Sequence, residues 1–127
     1  MTASILVCVV SDVHWPHHHA TAYAAWREWH AAVRPYWTIC LGDMIDLAAM
    51  SRYDKGGDEP LPSAEIKLAV RELNAIAKEA TRVTFAVGNH EDRFKRLLSG
   101  IPAHVLEGLH GLTLRDQMRA HGLSERV

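Results

Sequence analysis

The chain is short of cysteine, of long apolar runs and of any excess of charge, and each shortage removes a class of protein. Two cysteines, Cys8 and Cys40, provide neither a disulfide framework nor metal-type pairing, so they read as reduced core residues of a cytoplasmic protein. The longest apolar run, Ile5 to Val10, is too short to cross a bilayer, and no positively charged segment precedes it as a signal peptide requires. With 14 basic and 15 acidic side chains the formal charge is −1, whereas a general electrostatic nucleic-acid binder is usually basic. No internal repeat or low-complexity tract is visible. The values of 48% hydrophobic and 23% charged over 127 residues argue against disorder and coiled coil, and fit one domain spanning 1–127. What the chain has in excess is histidine, nine residues of a type that ligates metals and titrates near neutral pH.

Ile5 to Val10 is apolar and β-branched, the pattern of a strand buried on both faces. Ala20 to Val33 has helical spacing, with Tyr23, Trp26, His30 and Val33 on one stripe and Pro35 just beyond. Tyr36 to Leu41 reads as a second strand, and a short helix is expected over Asp43 to Met50. The segment from Ser51 to Pro62 reads as a surface loop. A long helix follows from an N-cap near Ser63, with Glu65 in its first turn and Ile66, Val70, Leu73, Ile76, Ala77 and Ala80 on its buried face. Arg82 to Val87 is a third strand and Glu91 to Leu98 a charged helix. Residues 99–127 form a helical tail, with one or two short helices over His104 to Ala120 and Gly122 as a stop. The order strand, helix, strand, helix, strand predicts an α/β fold, a parallel βαβαβ layer with helices packed on the sheet.

Ligands in such folds bind beyond the carboxyl ends of the strands. Three polar loops lie there: Ser11-Asp12-Val13-His14, Gly42-Asp43-Met44-Ile45-Asp46 and Gly88-Asn89-His90-Glu91. Taken singly, Asp43 and Asn89 read as helix caps. Taken together, the loops gather carboxylates, histidines and an amide at one sheet edge, which suits a pair of divalent cations. Asp43 would bridge them, Asp12 and His14 would complete the first site, and the Asn89 side-chain oxygen would bind the second. Mixed nitrogen and oxygen donors suit manganese first, with iron, zinc, nickel or magnesium as alternatives. Two such cations activate a bridging hydroxide and clamp a phosphoryl group, and His90 would protonate the departing alkoxide. Asp46, three residues after Asp43, would orient a ligand by hydrogen bond.

Asp-x-His, Gly-Asp-x-x-Asp and Gly-Asn-His-Glu, in this order and each after a strand, resemble the calcineurin-like metallophosphoesterases over roughly residues 4–98. The Ser-Asp-Val-His-Trp-Pro opening and Arg93, two residues after Glu91, look most like small bacterial and phage members. The resemblance implies that Asp12, His14, Asp43 and Asn89 are metal ligands and His90 the catalytic histidine. It also implies that the layer is half of a two-sheet sandwich, and that the substrate is a phosphomonoester or phosphodiester, nucleic acid among the candidates. Family members carry a further lone histidine ligand and a Gly-His-x-His motif, which do not occur in these 127 residues. A truncated product, a minimal domain and a catalytically incomplete remnant that binds metal or serves as a structural module all fit. A symmetric homo-oligomer would supply both ligands and cover.

The remaining histidines have blander readings. His17, His18 and His19 lie in the loop of Asp12 and His14, either as a solvated polar tract or within reach of the site. His121 reads as a last-turn histidine, His104 and His110 as surface or helix-packing residues, and His30 as a packing histidine. Glu91 is placed around the site. Arg93 either meets a substrate phosphate or joins Lys95 and Arg96 on a solvated helix face. Trp15 either stacks a base or sugar or closes the core; Trp26, Trp29 and Trp37 read as packing residues.

Overall fold

The computed structural model describes residues 4–53, 57–107, 109 and 111–127. Strand β1 (Val7–Val10) leads through α1 (Ala20–Val33) to β2 (Trp37–Cys40), and β2 leads through α2 (Pro62–Glu79) to β3 (Arg82–Phe85). Three short helices follow: α3 (Asp92–Leu98), α4 (Ala103–Glu107) and α5 (Leu114–Ala120). The strands form one parallel sheet in the order β1-β2-β3, with Val7 opposite Trp37 and Trp37 opposite Arg82. The α/β class and the parallel βαβαβ order expected from sequence are therefore observed.

Strand alternation decides what is covered. Cys8, Thr38, Cys40 and Val83 point to the helix side and are buried. Val7 and Val9 point the other way and are 40% and 55% exposed, so β1 is not the doubly buried strand its apolar run suggests. It is an edge strand with one covered face, because both crossover helices lie on the same side. Val33, Trp29 and Tyr36 are likewise exposed, which corrects the packing role expected for Val33 and Trp29.

The core forms under α2. Ile66, Ala69, Val70, Leu73, Ile76 and Ala77 fall on one face at 3.6-residue spacing and pack with Leu114 and Met118 of α5, Trp15, and Met44, Ile45 and Leu47. Trp15 is fully buried, edge-on to Tyr23, so the reading in which it closes the core holds. Pro62 takes the first helical turn of α2, where its missing N–H costs nothing, and Leu61 rather than Ser63 holds the cap position.

The helix expected over Asp43–Met50 is not formed; only a 3-10 turn, Ala48–Met50, appears. Asp43 and Leu47 have left-handed backbone, φ +52° and +48°, which interrupts a right-handed helix. The N–H groups a helix would use go instead to distant carboxylates. Met44 and Ile45 donate to Glu91, and Leu47 donates to Glu65. Glu65 lies in the first turn of α2 as expected, and there it is buried as a loop anchor.

One polar cluster lies inside the helix layer. His30 Nδ1 is 2.6 Å from Glu79 Oε2 and its Nε2 is 2.7 Å from Thr38 Oγ1, while Arg27 grips both Glu79 oxygens at 2.7 Å. His30 is therefore a satisfied packing histidine, as its place on the α1 stripe suggests. Burial pushes the Glu79 carboxyl up, but hydrogen bonds from Arg27 and His30 outweigh it and hold it below the ordinary carboxylate range.

Candidate metal centre

The loops after the three strands meet. Asp12 N–H donates to the Gly42 carbonyl at 3.2 Å, His14 N–H to the Asp43 carbonyl at 3.0 Å, and Trp15 N–H to the Met44 carbonyl at 2.7 Å. The third loop joins through His90, whose N–H donates to Asp43 Oδ1 at 2.9 Å. Contact between the second and third loops is so close that a Cβ on Gly42 would stand 2.5 Å from the Gly88 nitrogen. A side chain is excluded there, and Gly42 also holds φ +92°.

Ligand atoms of Asp12, His14 and Asp43 lie within 4.8 Å of one another. All three residues are left-handed, with φ of +55°, +56° and +52°. Such backbone costs an L-residue about 1–2 kcal/mol each, and clusters where a site demands it. Neither Asp12 nor Asp43 is spent on a helix N-cap, since no helix begins at either. Asp12 is exposed, while Asp43 and His14 are half-buried. His14 Nδ1 is buried without a hydrogen bond, although Asp46 Oδ1 stands 3.3 Å away. Two carboxylates, an imidazole and an unsatisfied ring nitrogen form a donor set that fits a divalent cation of intermediate hardness.

Asn89 heads the third loop, exposed, with its carbonyl accepting from Arg96. It does not cap α3; Glu91 occupies that position and makes no side-chain cap bond. Asp46 does not follow Asp43 on a helical face as expected. The loop swings it into a second group, with His14 and His90, whose ligand atoms also lie within 4.8 Å of one another. His90 Nδ1 is 2.9 Å from both Asp46 Oδ1 and the Asp46 carbonyl. On its other side, Arg93 Nη2 is 3.2 Å from His90 Nε2. A guanidinium only donates, so Nε2 accepts and Nδ1 carries the proton shared with Asp46. In that orientation His90 Nδ1 and Asp46 share a proton within the second group.

Arg93 is not on a solvated face. Its Nη1 donates to the Asp46 carbonyl at 2.8 Å. Arg96, in contrast, pairs with Asp92 one turn away, and Lys95 is exposed. The three loop histidines separate. His17 Nε2 stands 3.8 Å from Asp46 Oδ2 and from Glu59 Oε2. His18 packs edge-on against Tyr23, and His19 caps α1 by accepting from Ala22 N–H. His121 is the exposed C-cap residue of α5, His104 is exposed on α4, and His110 lies outside the described residues.

Sequence reasoning missed Glu59 and the anchoring by Glu65. Burial pushes the Glu65 carboxyl up, against the lowering effect of the Leu47 and Ala48 N–H groups. A glutamate inside the apolar stripe of α2 is the signal that marks it. Among the described residues no helix is long and apolar enough to cross a membrane.

A parallel α/β layer with clustered oxygen and nitrogen donors beyond its strand ends defines a candidate metal-binding α/β domain. The chain belongs to the calcineurin-like phosphoesterase family, whose family model matches residues 5–122. No curated protein and no solved structure matches it.

Proposed function

We propose that the protein is a metal-dependent phosphoesterase that hydrolyses a phosphomonoester or phosphodiester. The convergence of Asp12, His14 and Asp43 on strained backbone, within 4.8 Å of one another, carries this reading. Asp12, His14 and Asp43 would hold one divalent cation, and Asp43 with the Asn89 side-chain oxygen would reach a second. Bound there, a cation pair supplies Lewis acidity to the phosphoryl oxygens and lowers the pKa of the attacking water; manganese is the first candidate. His90 delivers the proton to the departing oxygen, and Asp46 orients the ring. Delivery from Nε2 requires Arg93 to leave that nitrogen, drawn away by the substrate phosphate, and Nε2 to take up a proton from solvent, so that the ring acts as an imidazolium whose Nδ1–H stays on Asp46. Two buried free thiols, Cys8 and Cys40, support a reducing, cytoplasmic setting.

The test is hydrolysis of an aryl phosphate with added Mn²⁺ by the wild type and Asp43→Asn. Turnover falling by about 100-fold or more in the variant is the expected result. Equal turnover in the two proteins removes Asp43 from the reaction. A second reading, a domain that binds metal without turning over, draws on the exposure of Asp12 and Asn89. Bound metal with no hydrolysis across Mn²⁺, Ni²⁺, Zn²⁺ and Mg²⁺ favours it. The open sheet face bearing Val7 and Val9 supports association with a second copy of the chain.

A further inference from the structure

Four backbone N–H groups from two loops converge on one side chain. Glu91 Oε2 accepts from Asp43 N–H and Gly88 N–H, both at 2.9 Å. Its Oε1 accepts from Met44 N–H at 2.8 Å and Ile45 N–H at 3.0 Å. The side chain is 1% exposed. These four donors are all main-chain N–H groups, the set that an anion-binding nest offers. The carboxylate thus occupies a nest built by the Gly42–Ile45 loop and closed by Gly88.

We propose that Glu91 is a positioning residue that fixes the carboxylate of Asp43 for cation binding; this deepens the metallophosphoesterase reading and rests on it. Besides the His14 N–H on its carbonyl, Asp43 has two tethers that trace to one turn of chain. Its N–H is held by Glu91, and its Oδ1 accepts from His90 N–H, the residue immediately before Glu91. The two loops also meet at Gly42 and Gly88, where no Cβ fits between their backbones. Arg93 completes the hold from the same turn by taking the Asp46 carbonyl. Residues 91 and 93 therefore bind opposite polarities of a single loop: Glu91 takes its N–H groups, Arg93 its carbonyl. Glutamine at position 91 is nearly isosteric, but it loses the charge and turns an NH₂ donor toward N–H donors. Aspartate keeps the charge and loses about one methylene of reach.

The experiment uses the full chain and reads Mn²⁺ affinity by calorimetry and backbone amide shifts without metal. In Glu91→Gln, the Mn²⁺ dissociation constant should rise 10–100-fold, the range for outer partners of metal ligands. The amide protons of Asp43, Met44, Ile45 and Gly88 should move upfield, and the amide of His90, which reports on Asp43 Oδ1, should move with them. Glu91→Asp should fall between the two, and it serves alone if the glutamine variant does not fold. His30→Ala, whose partners Glu79 and Thr38 lie outside the three loops, controls for lost stability and should leave the His90 amide and Mn²⁺ affinity unchanged. A folded Glu91→Gln with unchanged His90 amide overturns the proposal, as does Mn²⁺ affinity within twofold of wild type. Neither readout needs turnover. A wild type that binds Mn²⁺ but hydrolyses nothing defeats the phosphoesterase reading and leaves the role of Glu91 standing. If the wild type binds no Mn²⁺, the part of the proposal concerning cations fails too.

Discussion

Two glutamates, Glu65 buried and Glu79 half-buried, respond to the fold in opposite directions, and pH separates them. Glu65 is raised from its ordinary value of 4.5 because burial outweighs the Leu47 and Ala48 N–H groups. A carboxyl raised on folding contributes stability that is full below the unfolded value and is lost as pH climbs through the folded value. Glu65→Gln should therefore gain on the wild type in urea midpoint between pH 4.5 and pH 8, since its amide oxygen still accepts from Leu47; an unchanged gap across that range would contradict this. Glu79 is lowered, so its contribution is present above 4.5 and is lost as pH falls through its folded value. Removing the His30 ring leaves the buried Thr38 hydroxyl short of a partner and Glu79 Oε2 with Arg27 alone. His30→Ala should cost about 2–4 kcal/mol in denaturant unfolding. A loss under about 0.5 kcal/mol would show that the cluster is solvated. Burial also pushes the Cys40 thiol up to about 12, with Cys8 raised in the same way. Both should resist Ellman's reagent until the chain unfolds; reaction of the folded protein within minutes would place one of them at the surface.

At the scale of elements, regular structure was legible wherever local pattern decides it. Ala20 to Val33 was read from its stripe with the bounds observed, and the α2 face from Ile66 to Ala80 is buried as its spacing implies. The loop after β2 was misread as a helix for a physical reason. Its N–H groups are claimed by Glu91 and Glu65, partners up to 48 residues away that local propensity cannot sense. The doubly buried β1 was misread because a parallel pair with both helices on one side leaves the other face bare. The candidate site was legible as motifs but not as geometry: Asp12, His14 and Asp43 gather as expected, while Asp46 joins His90 instead of sharing a helical face. Gly42 marks the boundary between these cases, since a loop was read there but not the backbone contact. Gly42→Ala should destabilise the fold by roughly 2–4 kcal/mol, through left-handed strain together with overlap on Gly88. A variant as stable as wild type would show that the two loops do not touch.

At the scale of the whole molecule, the sheet has one dressed side and one bare side. Val7, Val9, Leu41 and Val87 are exposed around β1 and the strand ends, a concentration of apolar surface that soluble domains normally cover. The reading that a second copy covers it predicts twice the chain mass by light scattering at micromolar concentration, and Val9→Lys should return the monomer. A clean wild-type monomer would count against it. Such association bears on the site as well, because the loops lie at the edge of the same sheet.

The central claim is that three distant loops form one cation-holding cup, and binding tests it without reference to any substrate. Calorimetric titration of the wild type with Mn²⁺ should show saturable binding, weakened at least 10-fold in both Asp12→Ala and Asp43→Asn. Wild-type affinity retained in both variants would contradict the account.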